Sequence, residues 1–254
     1  MTRAELGKRR LVWEGCYNVR ELGGLPIGDG KTTATKAFVR ADDVSKLSPP
    51  GWESLAAHGV RTIVDLRHPG ELRESGAAAR IRHHAKTHGI RYENAPFLDE
   101  KDRRAMVVLE RAATTRALYA AMLERFAANV GRIFGALADA DRGTTLVQCL
   151  AGRDRTGLIC GLLLDVSGVS RQTSADDYAL SAECLQPLYD RVLATVDDDE
   201  LRARLSGENR TPAENLLSAL ATLDDRFGGS EAYLAQCGVE AGTLDRVRDR
   251  LLGG

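Results

Sequence analysis

Cys149 and Arg155 stand six positions apart, and together they have the residue types for phosphate-ester chemistry. Residues 149–155 read CLAGRDR, so a thiol, a carboxyl group and a guanidinium fall within one short loop. A cysteine and an arginine at this spacing are weak evidence by themselves, because arginine is a common residue. The context strengthens the signal: a strand-like segment ends at the cysteine, Gly152 permits a sharp turn, and Thr156 opens an apolar helix.

A loop that joins a strand to a helix N-terminus can form a binding site for phosphate. Successive backbone N–H groups of such a loop point inward and create a concave anion site, which the helix dipole favours further. The planar guanidinium of Arg155 can hold two phosphoryl oxygens, which orients the group and stabilises charge in the transition state. The other predicted phosphate-binding residues here are Leu150, Ala151, Gly152, Arg153 and Thr156.

Cys149 is the predicted nucleophile. The positive field of the loop favours the thiolate, which is the form that attacks, and the Thr156 hydroxyl can hydrogen-bond the sulfur. Attack on phosphorus gives a cysteinyl-phosphate, which a water molecule then hydrolyses. This chemistry requires neither a metal ion nor another cofactor.

Asp154 is the first candidate for the general acid that protonates the leaving oxygen. Its alternative role is that of a carboxylate that stabilises the loop, paired with a nearby arginine. Asp42, Asp65 and Asp99 are the alternative acids. A distance of roughly 3 Å between carboxyl and leaving oxygen would decide between them.

Two further arginines, Arg20 and Arg67, follow apolar residues near predicted strand ends. From there each side chain can reach the phosphate loop or the leaving group, so both are candidate substrate-binding residues. A packing salt bridge with Asp65 or Glu21 explains them equally well.

The elements that would position the loop alternate between strands and helices. Residues 144–147 are β-branched or apolar, so residues 144–148 predict a buried strand directly before the loop, and residues 60–66 predict a second. Ser48 is the predicted N-cap of a helix that stops at Gly59. Residues 90–97 predict another extended stretch.

The remaining segments predict helices. Residues 103–140 are rich in alanine and leucine at helical spacing and predict two helices in succession, whose first part, 103–125, could form a lid. Beyond Gly168, helical pieces are predicted at 171–195, 198–206, 212–226, 230–237 and 240–252. The fold class is therefore α/β, with a mostly parallel central sheet flanked by helices and a helical C-terminal part. No linker interrupts the chain, and residues 1–254 are expected to form a single domain.

Composition excludes several classes of protein. A hydrophobic share of 43% with 28% charged residues argues against disorder and against a membrane class. The net charge of -1 provides no global field to draw nucleic acid or an anionic membrane. The chain start lacks the apolar core of a signal peptide, and the apolar stretch 157–164 is too short to span a bilayer, so no stable membrane insertion is expected. Five cysteines at wide spacings favour free thiols in a reducing, cytoplasmic compartment.

Two other clusters have simpler explanations than metal binding. His83, His84 and His88 have no acidic or thiol ligand at tight spacing, so a solvated surface is predicted there rather than a metal site. The acidic run at 197–200 is interpreted as the start of a helix, where carboxylates favour the dipole.

Four motifs, in this order, resemble the protein tyrosine phosphatase superfamily, and more narrowly its bacterial group with an Asp-Arg-Thr-Gly loop, a relative of dual- and lipid-specificity enzymes. They are NVRELGG at 18–24, FVRAD at 38–42, GVRTIVDLR at 59–67 and CLAGRDRTG at 149–157. The segment 227–234, followed by Gly238, is similar to the helical ending of that group. The resemblance therefore covers nearly the whole chain.

This resemblance implies that Cys149 is the nucleophile, Arg155 the phosphate clamp and Asp154 the acid. Arg153 stands where the group usually has lysine, a position associated with acidic or phosphoinositide substrates. Gln148 departs from the family, which usually has histidine immediately before the nucleophile. Because a glutamine amide can donate and accept hydrogen bonds, activity is expected to survive at a reduced or altered level.

The predicted function is hydrolysis of phosphate monoesters, with phosphotyrosine in a protein or another organic phosphate as the bound partner. Two alternatives stay open. One is a small-molecule phosphatase of a metabolic or biosynthetic pathway. The other, motivated by Gln148, is a catalytically impaired module that holds a phosphorylated partner without cleaving it.

Overall fold

Parallel strands form most of the central sheet. The computed structural model describes residues 3–254, apart from the side chains of residues 3, 6, 204 and 208. The strands are β1 (Arg20–Glu21), β2 (Pro26–Gly28), β3 (Lys31–Thr32), β4 (Phe38–Ala41), β5 (Val60–Asp65), β6 (Arg91–Asn94) and β7 (Thr144–Gln148). Within the described residues, the central sheet has the order β1-β4-β7-β5-β6, with β1 as its antiparallel edge, and β2 and β3 pair separately.

Helices connect the strands and make up the rest of the chain beyond the sheet. They are α1 (Arg3–Gly7), α2 (Pro49–His58), α3 (Pro69–Ser75), α4 (Ala77–Thr87), α5 (Arg103–Glu110), α6 (Thr115–Arg125), α7 (Ala127–Ala138), α8 (Asp154–Val166), α9 (Arg171–Leu193), α10 (Asp199–Glu208), α11 (Ala213–Phe227), α12 (Ser230–Gln236) and α13 (Ala241–Leu252). A 3₁₀ turn, Val44–Lys46, follows β4. Over residues 3–254, none of these helices has both the length and the apolar character to cross a bilayer.

Strand β7 lies at the centre of the sheet and is buried along its whole length. Its last residue, Gln148, is the register partner of Ala41 on one side and of Asp65 on the other. Three strands thus end at the same edge of the sheet. Residues that follow them, including Cys149, are gathered at this carboxyl edge, where open α/β sheets bind their ligands.

Both faces of the sheet are covered, which is why the strands alternate little between apolar and polar residues. On β7, Leu146 packs in a cluster with Trp13 and Trp52 on one face, while Val147 packs on the other. That second face holds the larger cluster, to which α6–α9 and the C-terminal helices contribute. The predicted α/β class, mostly parallel sheet and helical C-terminal part are confirmed.

The start and stop signals of α2 are confirmed. Ser48 Oγ accepts the Gly51 N–H at 3.2 Å, and Gly59 ends the helix at φ 102°, in the left-handed region. The acidic run also begins a helix, because Asp198 caps α10 by accepting the Leu201 N–H at 2.7 Å.

The helical segment before β7 differs from the prediction. Residues 103–140 contain three helices, α5, α6 and α7, rather than two. The additional break follows Arg111, and Thr114 caps α6 by accepting the Ala117 N–H. Alanine favours helix on both sides of this break, so the Ala-rich pattern conceals it. Helices α3 and α4 were not predicted, and α8 begins at Asp154, two residues earlier than expected.

Candidate active site

The loop from Cys149 to Arg153 joins β7 to α8 at the carboxyl edge of the sheet. Cys149 is 2% exposed at the base of the loop, whereas Leu150 beside it is 52% exposed at the surface. The predicted order of strand, loop and helix is therefore present. A ligand must therefore enter the loop to reach the thiol.

Gly152 gives the loop its tight curvature. Its φ of +61° lies in the left-handed region, and a Cβ at this position would lie 2.4 Å from the Ala41 carbonyl oxygen. Glycine is required here both for its backbone conformation and for the close approach of β4. The sequence prediction that this glycine makes the turn is confirmed.

The carbonyl oxygens of the loop are held from outside. Leu150 O accepts the Asp43 N–H at 3.2 Å, Ala151 O accepts Asn18 Nδ2 at 2.9 Å, and Gly152 O accepts Arg40 Nη2 at 2.8 Å. The peptides are trans, so the N–H of each following residue points the opposite way from its carbonyl. The N–H groups of residues 151, 152 and 153 are thereby directed away from these supports, which is the arrangement of a backbone anion site.

The supports are anchored in turn by one buried carboxylate, Asp177 on α9. Its Oδ2 lies 3.0 Å from Arg40 Nη1 and its Oδ1 lies 3.3 Å from Arg20 Nε, and Arg9 pairs with it as well. Burial by itself would raise the pKa of Asp177, but the three arginines outweigh burial and hold it well below its usual range. A fully ionised Asp177 thus fixes the arginines behind the loop. Arg9, Arg20, Arg40, Asn18 and Asp177 together form the backing of the loop.

Arg20, a predicted substrate-binding residue, lies in this backing and not in the open face of the loop. It is fully buried, pairs with Asp177 instead of Asp65 or Glu21, and donates to Asn18 Oδ1. Since Asn18 holds Ala151 O, Arg20 acts on the loop through another side chain. The signal that could have identified Asn18 is its position two residues before Arg20, in the first family motif.

Arg155 points to a carboxylate that sequence reasoning missed. Its Nη1 lies 2.6 Å from Glu71 Oε2 and its Nη2 lies 2.7 Å from Glu71 Oε1, a two-point ion pair. Burial would raise the pKa of Glu71, but hydrogen bonds and charge from Arg155 outweigh it and the pKa lies below its usual value. Arginine has five N–H donors, so Nε–H and a second Nη2–H stay available for a bidentate anion.

Glu71 is itself positioned by the start of α3. His68 Nδ1 accepts the Glu71 N–H, and Glu71 Oε2 accepts the His68 N–H at 3.0 Å, which is a reciprocal capping box. The guanidinium of Arg155 is therefore oriented by a helix N-terminus from across the loop.

Asp154 lies at the first turn of α8 with a side chain that is 34% exposed. Its Oδ1 accepts the Tyr119 hydroxyl at 2.5 Å and its Oδ2 accepts Arg153 Nε at 3.2 Å. Both roles predicted from the sequence are compatible with this position, because the carboxyl group is paired with an arginine and its side chain is partly exposed. Tyr119, on the proposed lid segment, had not been singled out.

The three alternative acids occupy other environments. Asp65 is buried and accepts Arg67 Nε at 3.0 Å and Nη2 at 2.8 Å, and Asp42 is buried and accepts the backbone N–H of Asn18. Burial raises the pKa of Asp42. Asp99 is exposed in the turn before α5, where it accepts the Lys101 N–H. Asp154 is the carboxyl among the four that belongs to the loop itself.

Arg67, the other predicted substrate-binding arginine, forms the packing salt bridge that was its alternative. It is 1% exposed and also pairs with Asp43 at 2.9 Å. Gln148 joins the same cluster: its Nε2 donates to Asp65 Oδ2 at 2.8 Å and its Oε1 accepts the Val44 N–H at 2.8 Å. Both ends of the amide are used, so Gln148 orders the segment below Cys149 without carrying charge.

Thr156 and Arg153 are two further residues that were predicted to bind phosphate. Thr156 Oγ1 is buried and, within the described part of the chain, accepts and donates no hydrogen bond, so the expected bond to the Cys149 sulfur is not made. Arg153 is half-buried, with Nη1 3.5 Å from the Tyr189 hydroxyl of α9. Its guanidinium lies between Asp154 and α9.

The histidines singled out in the sequence lie on α4 and after it. The ring of His84 stacks on Trp52 at 5.1 Å, and His88 lies 6.3 Å from the same ring. Across residues 3–254, with the side chains set aside above excepted, no three histidine, cysteine, aspartate or glutamate side chains are grouped as metal ligands.

Comparison with known proteins gives one consistent result. Residues 11–253 match the model of the tyrosine phosphatase family. A tyrosine-protein phosphatase from Nostoc commune is 29% identical over 85% of this chain and 74% of its own length. The triple specificity protein phosphatase PtpB from Mycobacterium tuberculosis is 34% identical over 42% of this chain and 44% of its own length. The chain belongs to the tyrosine phosphatase family, a family of hydrolases, as the resemblance predicted.

Proposed function

We propose that this member of the tyrosine phosphatase family hydrolyses phosphate monoesters through a cysteinyl-phosphate on Cys149. The observation that carries the proposal is the loop: its carbonyl oxygens are held from outside, so the N–H groups of residues 151–153 are directed away from these supports, and Arg155 is close enough to Cys149 for their charges to interact. Such an arrangement binds a phosphate dianion and holds its phosphorus against the nucleophile.

The first proposed step transfers the phosphoryl group to the enzyme. The Cys149 thiolate attacks phosphorus, an S–P bond forms, and the bond between phosphorus and the ester oxygen breaks. Asp154 donates its proton to the departing oxygen, so an alcohol or phenol leaves. Arg155 and the loop N–H groups hold the charge that accumulates on the equatorial oxygens.

The second proposed step releases phosphate. A water molecule attacks phosphorus as Asp154 takes its proton, the S–P bond breaks, and inorganic phosphate and the thiolate form. The carboxyl group of Asp154 thus acts as the acid in the first step and as the base in the second. The cycle uses no metal ion or other cofactor.

The proposed substrate is a phosphorylated protein or peptide with an aryl ester, of the phosphotyrosine type. Two features support this choice. The thiol is 2% exposed, so a phosphate on a long planar group reaches it more easily than one on a short side chain. The relative from Nostoc commune is a tyrosine-protein phosphatase, and that from Mycobacterium tuberculosis is a triple specificity protein phosphatase.

We also propose that the protein works in the cytoplasm, acts as one domain and binds no nucleic acid. All five cysteines are free, which suits a reducing compartment. The net charge of -1 gives no reason for nucleic acid to accumulate at the surface.

The test is hydrolysis of p-nitrophenyl phosphate in the presence of a chelator by wild type and by Cys149→Ser. We expect turnover to resist the chelator and to be abolished in the variant. Cys237→Ser, a buried thiol at the end of α12, is the matched control and should retain turnover. Turnover that survives Cys149→Ser, or that needs a metal ion, would contradict the mechanism.

A panel of esters then decides the substrate. Phosphotyrosine peptides should be cleaved faster than phosphoserine peptides and than phosphates of small metabolites. A reversed order would identify a small-molecule phosphatase. Tight binding of a phosphopeptide to wild type without any turnover would identify a module that only holds its partner.

A further inference from the structure

We propose that Tyr119 is a positioning residue for Asp154: its hydroxyl holds Oδ1 and so leaves Oδ2 to exchange the proton with the substrate. The inference rests on the proposed function, because it gives Asp154 the acid role. It adds a residue outside the loop, on α6, to the machinery for leaving-group protonation.

The contact between the two side chains is short and shielded from water. Tyr119 is 0% exposed, and its hydroxyl donates to Asp154 Oδ1 at 2.5 Å. The Tyr119 hydroxyl also lies 2.7 Å from the hydroxyl of Tyr178 on α9, and the two rings meet edge to face at 6.4 Å. Its position is thus determined by packing and by a second hydrogen bond.

The protons of this chain of hydroxyls can be assigned by counting. A tyrosine hydroxyl has one hydrogen. If Tyr119 uses its hydrogen on Asp154, the bond between the tyrosines must be donated by Tyr178. Tyr178 is held further by the Asn215 side chain of α11. Tyr178 therefore donates a hydrogen bond to Tyr119, and Tyr119 donates one to the carboxyl group of Asp154.

Tyr119 stays a donor at all working pH values. Burial above all, with the charge of Asp154 and the contact with Tyr178, raises its pKa far above the ordinary value of tyrosine. The hydroxyl therefore cannot act as the acid itself.

The two oxygens of Asp154 consequently differ. In the proposed acid form, Oδ1 is the carbonyl oxygen that accepts from Tyr119, and Oδ2 carries the proton while it still accepts the Arg153 Nε–H through a lone pair. When the proton moves to the leaving oxygen, charge develops on the carboxylate and the bond from Tyr119 becomes charge-assisted. This gain arises during the reaction and not on substrate binding, so it lowers the barrier.

The groups that face Asp154 come from the loop and from three helices. Arg153 and Arg155 are its loop and helix neighbours, Tyr119 comes from α6, and Tyr178 reaches it through Tyr119 from α9. Only the tyrosine contact can be removed without changing the charge at the site.

Tyr119→Phe is the informative variant, and Tyr233→Phe is its matched control. Tyr233 is equally buried, and its hydroxyl donates to Leu123 O of the same helix at 2.8 Å, away from Asp154. Tyr119→Phe removes the bonds of a buried phenol to Asp154 and to Tyr178, and Tyr233→Phe removes the bond of a buried phenol to Leu123 O, so a general loss of stability should appear in both.

We expect Tyr119→Phe to lower kcat/KM about tenfold on phenyl phosphate, whose leaving group needs the proton, and by less than about threefold on p-nitrophenyl phosphate. Tyr233→Phe should leave both quantities unchanged. In an Asp154→Asn background, Tyr119→Phe should add no further loss on phenyl phosphate.

Equal losses on the two esters, or full additivity with Asp154→Asn, would overturn the inference in favour of a merely structural tyrosine. A second readout does not depend on turnover: the hydroxyl proton resonance of Tyr119 in the ¹H NMR spectrum should move in Asp154→Ala and not in Cys237→Ser. An unmoved resonance overturns the inference even if the enzyme is active. A moved resonance in a protein without turnover supports the hydrogen bond and overturns the proposed function instead.

Discussion

Gln148 Nε2 lies 2.8 Å from Asp65 Oδ2, and the two residues are register partners in the parallel pair of β7 and β5. The other end of the same amide accepts the Val44 N–H from the turn that follows β4. The residue immediately before Cys149 therefore ties three segments of the carboxyl edge together. A neutral side chain makes these contacts at the position where the resemblance implies histidine.

Gln148→Leu should weaken both folding and turnover. The variant leaves the buried Val44 N–H without its acceptor and takes one donor from Asp65, which should cost about 1–3 kcal/mol in urea unfolding. Gln148→His keeps a donor and an acceptor and should lose less in both measurements. Identical behaviour of the two variants would show that the hydrogen bonds of this amide are unimportant.

Glu71→Gln should impair the proposed phosphate clamp without unfolding the protein. The amide retains the shape of the side chain but loses the charge that holds both Nη atoms of Arg155. We expect kcat/KM for an aryl phosphate to fall by about ten- to a hundredfold, since small misplacements of a clamp are costly. Glu74→Gln, on the exposed side of the same helix, is the control and should be silent. Wild-type kinetics in Glu71→Gln would refute the positioning role of this pair.

Gly152→Ala should abolish turnover. The new Cβ would lie 2.4 Å from the Ala41 carbonyl oxygen, in addition to the cost of φ +61°. Gly168→Ala separates these two effects, because that residue has φ +83° and open space around it. We expect the control Gly168→Ala to lose about 1 kcal/mol of stability and to keep wild-type turnover. The comparison is made with kinetics and urea unfolding on both variants.

Asp177→Asn should show the acid dependence of the backing of the loop. At neutral pH the variant leaves three buried arginines without their carboxylate, at a cost of about 3–5 kcal/mol. The folded pKa of Asp177 is depressed, so its contribution is complete above the ordinary value of about 3.9 and declines as the pH falls toward the folded pKa.

The measurement for Asp177 is the free energy of unfolding by urea from pH 7 down to the lowest pH at which both proteins fold. The gap between wild type and Asp177→Asn should narrow below about pH 4. Asp176→Asn, one residue earlier and in contact only with Gln172 among the described hydrogen bonds, should show no such gap. A gap that does not change with pH would exclude the ion pairs as its source.

The sequence predicted the features that depend on a few neighbouring residues. The loop from Cys149 to Arg155, the cap at Ser48 and the stop at Gly59 each depend on a few neighbouring residues, and the structure has all of them. The α/β class was predictable as well, because each strand and helix has its own local pattern and their alternation along the chain indicates this class.

Long-range partners were not predictable in this way. Glu71 lies 84 positions from Arg155, and nothing in its own neighbourhood marks it as the partner of that arginine. The sequence offered Asp65 or Glu21 as salt-bridge partners of Arg20, whereas its partner is Asp177, 157 positions away. Such pairs are set by how helices pack on the sheet, which the spacing of residues along the chain does not encode.

The backing of the loop also determines when the site can form during synthesis. Asn18 reaches Ala151 across 133 positions, and Arg9 reaches Asp177 across 168. A nascent chain that has not yet released residue 177 has the strand and the cysteine but lacks the carboxylate that locks the arginines behind them. The loop therefore cannot acquire these ion pairs before residue 177 is available, and a chain truncated before Asp177 would hold its cysteine in a loop without them.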